Sequence, residues 1–470
     1  MAEKTKGEVL KENLFDKKEN GWLNTDETKE NKIMEFAEGY IAFLNMAKTE
    51  REFIKEAKKV LLDNGFKDLN EVSSLKPNDK VFYVNREKNL FVSVIGENDL
   101  KEGMQLVGAH VDSPRLDLRP NPLYEDTDFA YFKTRYYGGI KKYQWTCIPL
   151  SLHGVITKTN GEKIEINIGE NDNDPIFTIS DLLPHLASKQ EQRTLGDGIE
   201  GENLNILIGS MPFKDDKASS KIKLNILNIL NKKYGITEKD FISSELELVP
   251  AFKAKSLGFD SSMVAAYGQD DKICAYTSLK AILEANNLNK TATLILADKE
   301  EIGSMGNTGM YSEVFEYYVN ELLNKLNQNN FNMVNTVLCH SKMLSADVTA
   351  AYDPNFPAVF EKHNEAYLNK GVSINKYTGG NGKSGASDAN AEFVSYVRRI
   401  LEKNGITYQV TDMGKIGVGG GGTIAYILAN RGMDVIDLGV PVLSMHSPYE
   451  VTSKFDIYMA YLTYKAFYKN

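Results

Sequence analysis

The sequence predicts an α/β protein built on a mixed sheet covered by helices on both faces and interrupted by an inserted β-rich segment. Three observations carry this. Short runs at 106–109 and 291–297, mostly apolar and too short for helices, read as strands buried on both faces. Amphipathic helical patterns alternate with them. From about Arg119 to Pro250 the texture becomes Tyr/Gly-rich and β-like before the α/β alternation resumes.

Taken in order, Thr49 and Glu52 have capping-box spacing, and Phe53, Ile54, Ala57, Val60 and Leu61 then recur at helical intervals until Gly65, predicting an amphipathic helix. Runs at 81–84 and 90–95, separated by NREKN, predict two strands, and 106–109 a third that ends at His110. Within the insert, 155–158 and 163–167 join through Asn160-Gly161, a hairpin signal. Beyond it the pattern predicts a helix over 270–285, strands at 291–297 and near 334–338, and a strand–helix–strand stretch ending at His446. A chain of 470 residues exceeds one ordinary core. The expected division is 1–118 and 251–470 as two parts of one domain, with 119–250 inserted between them.

Hydrophobic residues at 42% and charged residues at 25% are ordinary for a soluble globular protein. A net charge of −9 excludes a general nucleic-acid or anionic-membrane binder, which needs a basic face, and favours small-molecule or peptide substrates. No leader-like apolar stretch opens the chain, and no run of about 18 apolar residues occurs. Cys147, Cys274 and Cys339 are odd in number and lack CxxC spacing, so they read as reduced core thiols of a cytoplasmic protein.

Polar clusters fall where an open α/β sheet presents its ligands, at strand ends or helix starts: His110-Val-Asp112, Asp270-Asp271, Glu300-Glu301, Asp347 and His446. Imidazoles with carboxylates suit zinc, manganese or cobalt rather than thiolate-preferring metals. Two divalent ions about 3.5–4 Å apart share a ligand, and a carboxylate can bridge where a neutral imidazole cannot. Asp270 is the candidate bridge, with His110 and Asp347 completing one shell and Glu301 and His446 the other. Asp112 is placed to orient the His110 ring. Glu300 would stay uncoordinated and accept a proton from the water held between the metals, as general base. Singly, each feature has a blander reading: acidic pairs are usually solvated, Asp270-Asp271 also favours a helix N-terminus, and a lone histidine is usually just hydrogen-bonded. Their common placement favours the metal reading.

The segment 417–422 matches GxGxxG, precedes a predicted helix from Thr423, and has Asp437 about 20 residues on. It supports a competing reading, a nucleotide-binding oxidoreductase or sensor. Against this, the loop lies late in the chain with no second mononucleotide half after it. Gly420 and Gly421 can equally let the backbone approach a peptide beside the metals. A non-enzymatic assembly or cargo protein is a third reading, disfavoured by the complete ligand set and Glu300.

GAHVDSPRLDL (108–118), PHLA (184–187), QDD (269–271), DKEEIGS (298–304), SADVTAAYDPNF (345–356), SGASDANAEF (384–393), GGGGT (419–423) and LGVPVLSMHSPYE (438–450) together resemble the aspartyl aminopeptidase and vacuolar aminopeptidase I group of dinuclear zinc metallopeptidases. The resemblance implies a metallopeptidase-type catalytic domain interrupted by a β-rich dimerisation domain, and a homododecamer built from dimers. It implies two divalent ions per subunit, zinc first, on His110, Asp270, Glu301, Asp347 and His446, with Glu300 as base. It also implies that His185 reaches a neighbouring subunit's site; from the residues alone a histidine after Pro184 reads as surface or capping. Branches that prefer acidic first residues carry basic and aromatic residues near the stretch that here reads GGNGKSGASDANAEF, where Lys383 is the lone basic side chain. Lys383, Gly420 and Gly421 are therefore the substrate-binding candidates, and the first-position preference, acidic or neutral/hydrophobic, stays open.

Overall fold

The computed structural model describes residues 4–16, 19–380 and 382–470. A nine-stranded mixed sheet forms the larger unit, with Asn89–Val94, Ala292–Ala297, Gln105–His110, Lys342–Ser345 and Asp434–Gly439 adjacent at its centre. Alternate side chains of each central strand enter opposite cores. Val107, Ala109, Leu294, Leu296, Ile436 and Leu438 pack on one face, under helices that include Glu27–Met46, Glu50–Asp63, Gln269–Leu283 and Lys454–Tyr468. Leu106, Ile295, Ala297 and Val435 pack on the other, under Val314–Lys325, Met333–His340 and Ala425–Ala429.

The three central pairings are parallel, with His110 opposite Ala297 and Ser345 opposite both Gly108 and Asp437. Residues just past these strands therefore emerge at one edge of the sheet.

Between Arg115 and Pro250 the chain forms a six-stranded antiparallel sheet over its own core of Leu116, Phe132, Trp145, Leu150, Ile156 and Leu248. Its hairpin pairs Leu150–Thr157 with Lys163–Ile168, and Gly161 supplies the positive φ of 87° that the turn requires. A third sheet of five short strands includes Thr349–Ala350 and Pro441–Leu443, which follow Asp347 and precede His446. No described helix is long and apolar enough to cross a membrane.

The predicted capping box is present: Thr49 caps Glu50–Asp63, and Phe53, Ile54, Ala57 and Leu61 are buried, with Val60 half-buried. This helix meets the antiparallel sheet through buried His153, whose Nδ1 lies 2.8 Å from Glu52 and whose Nε2 lies 3.1 Å from Glu170. Glu170 also accepts from Lys48 at 2.7 Å, Lys253 at 2.8 Å and the Ser151 hydroxyl at 2.7 Å.

Two expectations are corrected. The run 334–338 is helical, within Met333–His340, because Val337 and Leu338 form a buried helical face; the strand follows at Lys342–Ser345. Only Cys274 is a core thiol, whereas Cys147 and Cys339 are exposed; all three are free of disulfides.

Candidate metal centre and active site

Asp270 and Asp271 open the helix Gln269–Leu283, but their backbone is not helical, with φ/ψ of −80°/108° and −114°/27°. This turns the Asp270 carboxylate across the sheet edge. Its Oδ1 lies 3.2 Å from Nε2 of His110, at the end of its strand, and its Oδ2 lies 3.1 Å from Nε2 of His446. One carboxylate thus presents a separate oxygen to each imidazole. Asp347 Oδ1 stands 3.7 Å from His110 Nε2, and Glu301 Oε2 stands 3.5 Å from His446 Nε2.

The donors fit divalent cations. Ligand atoms of His110, Asp270 and Glu301 lie within 4.8 Å of one another, as do those of His110, Asp271 and Asp347. Glu301 Oε1 and Asp271 Oδ1 are buried without a hydrogen-bond partner, acceptors that a cation would satisfy. The charge balance points the same way. Burial, and the nearby Asp347, Asp112 and Asp270, push Glu300 up to about 8, and burial likewise raises Glu301 and Asp347. Burial would also raise Asp270, but bonds from His110 and His446 outweigh it and hold its carboxyl well below the usual range. Against burial, the bond to Asp270 pushes His446 up to about 10. A site that must protonate its own imidazoles and carboxylates to balance charge is one in which divalent ions can take the place of those protons.

The ligands are held from behind. Asp112 Oδ1 lies 3.3 Å from His110 Nδ1, and its two oxygens accept the backbone N–H groups of Glu300 and Glu301, each at 3.2 Å. Asp112 also accepts the Tyr137 hydroxyl at 2.8 Å. Buried Glu450 accepts from the Asp270 amide at 3.1 Å and the His446 amide at 2.8 Å. His446 Nδ1 lies 3.0 Å from the Gly139 carbonyl, which as acceptor leaves Nε2 facing the cluster.

His110, Asp270, Glu300, Glu301, Asp347, His446, Gly420 and Gly421 all line one cavity of about 450 Å³, with Tyr377, Met413 and Met445 among its walls. Asp112 sits behind it. Lys383 does not line it: its ammonium pairs with Asp388 at 3.0 Å and lies over the Tyr377 ring at 3.8 Å. His185 is exposed in the turn Pro184–Leu186 and does not line it either. Sequence reasoning missed the supporting roles of Glu450 and Tyr137, and it did not place Asp271 among the ligand atoms. Glu450 had a signal in its spacing from His446; Tyr137, arriving from the other sheet, had none.

The 417–422 loop gives the nucleotide reading no support. The helix after it, Ala425–Ala429, has five residues, and the buried Asp437 carboxylate is bonded by the Thr423 hydroxyl at 2.6 Å rather than open to a ribose. The glycines serve a backbone crossing instead. A Cβ on Gly419 would lie 2.1 Å from the Met413 carbonyl oxygen, and one on Gly420 would lie 2.2 Å from that of Gly379.

Parallel central strands that deliver His110, Glu300, Glu301 and Asp347, and a smaller sheet that delivers Asp270 and His446, to a single cavity point to a metal-dependent hydrolase. The chain belongs to the M18 family: residues 43–468 match the family described as aminopeptidase I zinc metalloprotease. It is a metallo-aminopeptidase of that family. A Clostridium acetobutylicum protein named "Probable M18 family aminopeptidase 1" is 50% identical over 461 residues, covering 97% of this chain and 99% of its own. A Thermotoga maritima relative of the same name is 46% identical over 439 residues, 93% of this chain and 96% of its own. The crystal structure of an M18-family aminopeptidase from Thermotoga maritima matches with a TM-score of 0.93 at 44% identity, over 97% of this chain and all of that one, 100%. That of aminopeptidase I from Clostridium acetobutylicum matches with a TM-score of 0.91 at 47% identity, over 97% and 100%.

Proposed function

We propose that each subunit uses two divalent ions, zinc in the first instance and manganese or cobalt as alternatives, to release single N-terminal residues from cytoplasmic peptides. The observation that carries this reading is the Asp270 carboxylate facing one histidine with each oxygen. His110 and Asp347 would hold one ion, Glu301 and His446 the other, and Asp270 both. When bound, such ions polarise the scissile carbonyl and acidify the attacking water. Glu300 lines the cavity beside Glu301 and takes the water's proton, then passes it to the leaving amine. Its place is set by its backbone bond to Asp112. The acidic cavity attracts a free α-ammonium group, so acetylated peptides should survive. Metal content with and without chelator, read beside turnover on free and acetylated peptides, tests this; equal cleavage of both peptides refutes it.

For the first residue we favour neutral or hydrophobic side chains over acidic ones. No lysine or arginine lines the cavity among the described residues, Asp412 adds a further carboxylate, and Met413, Met445 and Tyr377 offer apolar surface. A panel of aminoacyl chromogenic substrates tests the preference, and fastest cleavage of aspartyl or glutamyl substrates refutes it.

The mApe1 protein of S. cerevisiae, 22% identical to this chain with a TM-score of 0.74, forms a dodecamer. We extend that assembly here, as a homododecamer built from dimers in which His185 serves the neighbouring subunit's site. Its exposure, with exposed Leu182, Leu183 and Leu186 beside it, supports the reading. Mixed oligomers of His185→Phe and Glu300→Gln subunits should regain activity at sites combining an intact Glu300 with a neighbour's intact His185. Failure to recover above either parent, with assembly and metal content normal, refutes the role in trans.

A further inference from the structure

Tyr137 ends the strand Phe129–Tyr137 of the antiparallel sheet and is buried, yet its hydroxyl reaches the group that supports the metal centre. It donates to Asp112 Oδ2 at 2.8 Å, the oxygen that also accepts the Glu301 amide. The other oxygen accepts the Glu300 amide and lies 3.3 Å from His110 Nδ1, which also lies 3.1 Å from the Asp112 backbone carbonyl. All the other partners of this carboxylate come from the catalytic sheet's edge. The terminal torsion of an aspartate is intrinsically broad, so the carboxylate's rotation is set by its partners. The Tyr137 ring cannot follow such a rotation. Arg115 lies over its face at 4.0 Å, and Arg115 is itself clamped by Asp117 at 2.8 Å, by Glu50 at 3.2 Å and by Glu247.

We propose that Tyr137 is a positioning residue for the metal centre: its hydroxyl locks the rotation of Asp112, and through Asp112 the His110 ring and the Glu300–Glu301 turn, so that the inserted sheet sets the geometry of the site. The inference rests on the reading of His110 as a metal ligand. Partners one step behind a ligand govern metal affinity or activity by about 10- to 100-fold.

The test is Tyr137→Phe, which removes the hydroxyl and keeps the ring in place. Zinc affinity is measured by competition with a chromophoric chelator at a temperature where the variant is folded, together with kcat and KM. Because Tyr137 stands one step further back than Asp112, the expected result is zinc bound several-fold and up to about 10-fold more weakly, with kcat reduced and KM little changed. A residue that only packs the junction would lower Tm and leave zinc affinity alone. If Tyr137 acts through Asp112, the double variant Tyr137→Phe/Asp112→Asn should lose no more affinity than Asp112→Asn alone, whereas additive losses overturn the proposal. Zinc affinity of Tyr137→Phe within about twofold of the unmodified enzyme also overturns it. His110→Ala separates the two failures. If His110→Ala keeps its zinc, the ligand reading fails; if it loses zinc while Tyr137→Phe keeps it, only the role of Tyr137 fails.

Discussion

Replacing His153 by Gln should weaken the junction between helix Glu50–Asp63 and the antiparallel sheet in a way that depends on pH. Burial alone would lower this imidazole's proton affinity, but its bonds to Glu170 and Glu52 outweigh burial and push it up to about 9. Against about 6.5 in an unfolded chain, that difference corresponds to about 3 kcal/mol of stability. Because the folded value is raised, the contribution is complete below about pH 6.5 and is lost as pH rises through about 9. Above that pH a neutral histidine and a neutral glutamine leave Glu52 and Glu170 alike without a cation between them. Lys48 and Lys253 still compensate Glu170, so the variant retains a folded junction. The assay is the opening free energy from amide hydrogen exchange in strand Leu150–Thr157, compared between the two proteins across pH. The variant should open more easily by about 3 kcal/mol near pH 6, and the gap should close near pH 9. A gap that stays constant over this range, or widens with pH, would refute the reasoning.

Glu300→Gln should keep its metal and lose about 10²- to 10⁴-fold in kcat, since the amide cannot accept the proton; near-normal kcat would remove Glu300 from the mechanism. Asp270→Ala should release metal from both positions, because this carboxylate faces both histidines; full metal content in the purified variant counts against its bridging place. Gly420→Ala would put a Cβ 2.2 Å from the Gly379 carbonyl oxygen and force the two loops apart. It should lower kcat/KM by about 10²-fold without metal loss, and unchanged kinetics would show that the crossing does not shape the substrate cavity.

Much of the central sheet was legible because its strands are short, apolar and bounded by polar residues. The helix at 50–63 was legible because Thr49 and Glu52 announce its start. The segment 334–338 was misleading: its valines and leucine satisfy either period, and burial of Val337 and Leu338 decided for the helix. His110, Glu300, Glu301 and Asp347 could be read because parallel strands of the central sheet place their following residues at one edge, whereas Asp270 and His446 follow strands of the five-stranded sheet and were read from their helix start and strand end. Tyr137 could not be read this way, since it arrives from a different sheet. Lys383 was singled out as the lone basic residue of its stretch, but charge alone does not reveal that Asp388 and Tyr377 occupy it. The glycine run matched a phosphate-loop pattern because two backbones that cross closely impose the same demand for missing side chains.

The order of strands in the central sheet also bears on how the enzyme is made. Gln105–His110 emerges from the ribosome early, yet its neighbours Ala292–Ala297 and Lys342–Ser345 follow only after the whole antiparallel sheet, and Asp434–Gly439 comes later still. His446 is later again, and the helix Lys454–Tyr468 that covers the core comes last. Synthesis at about 5–20 residues per second leaves an interval of many seconds in which His110 has neither Asp270 nor Asp347 beside it. An unfinished chain that stops short of residue 446 cannot assemble the cavity, so it carries no peptidase activity toward its neighbours on the polysome. Hydrolysis is withheld until translation is nearly complete, by topology alone.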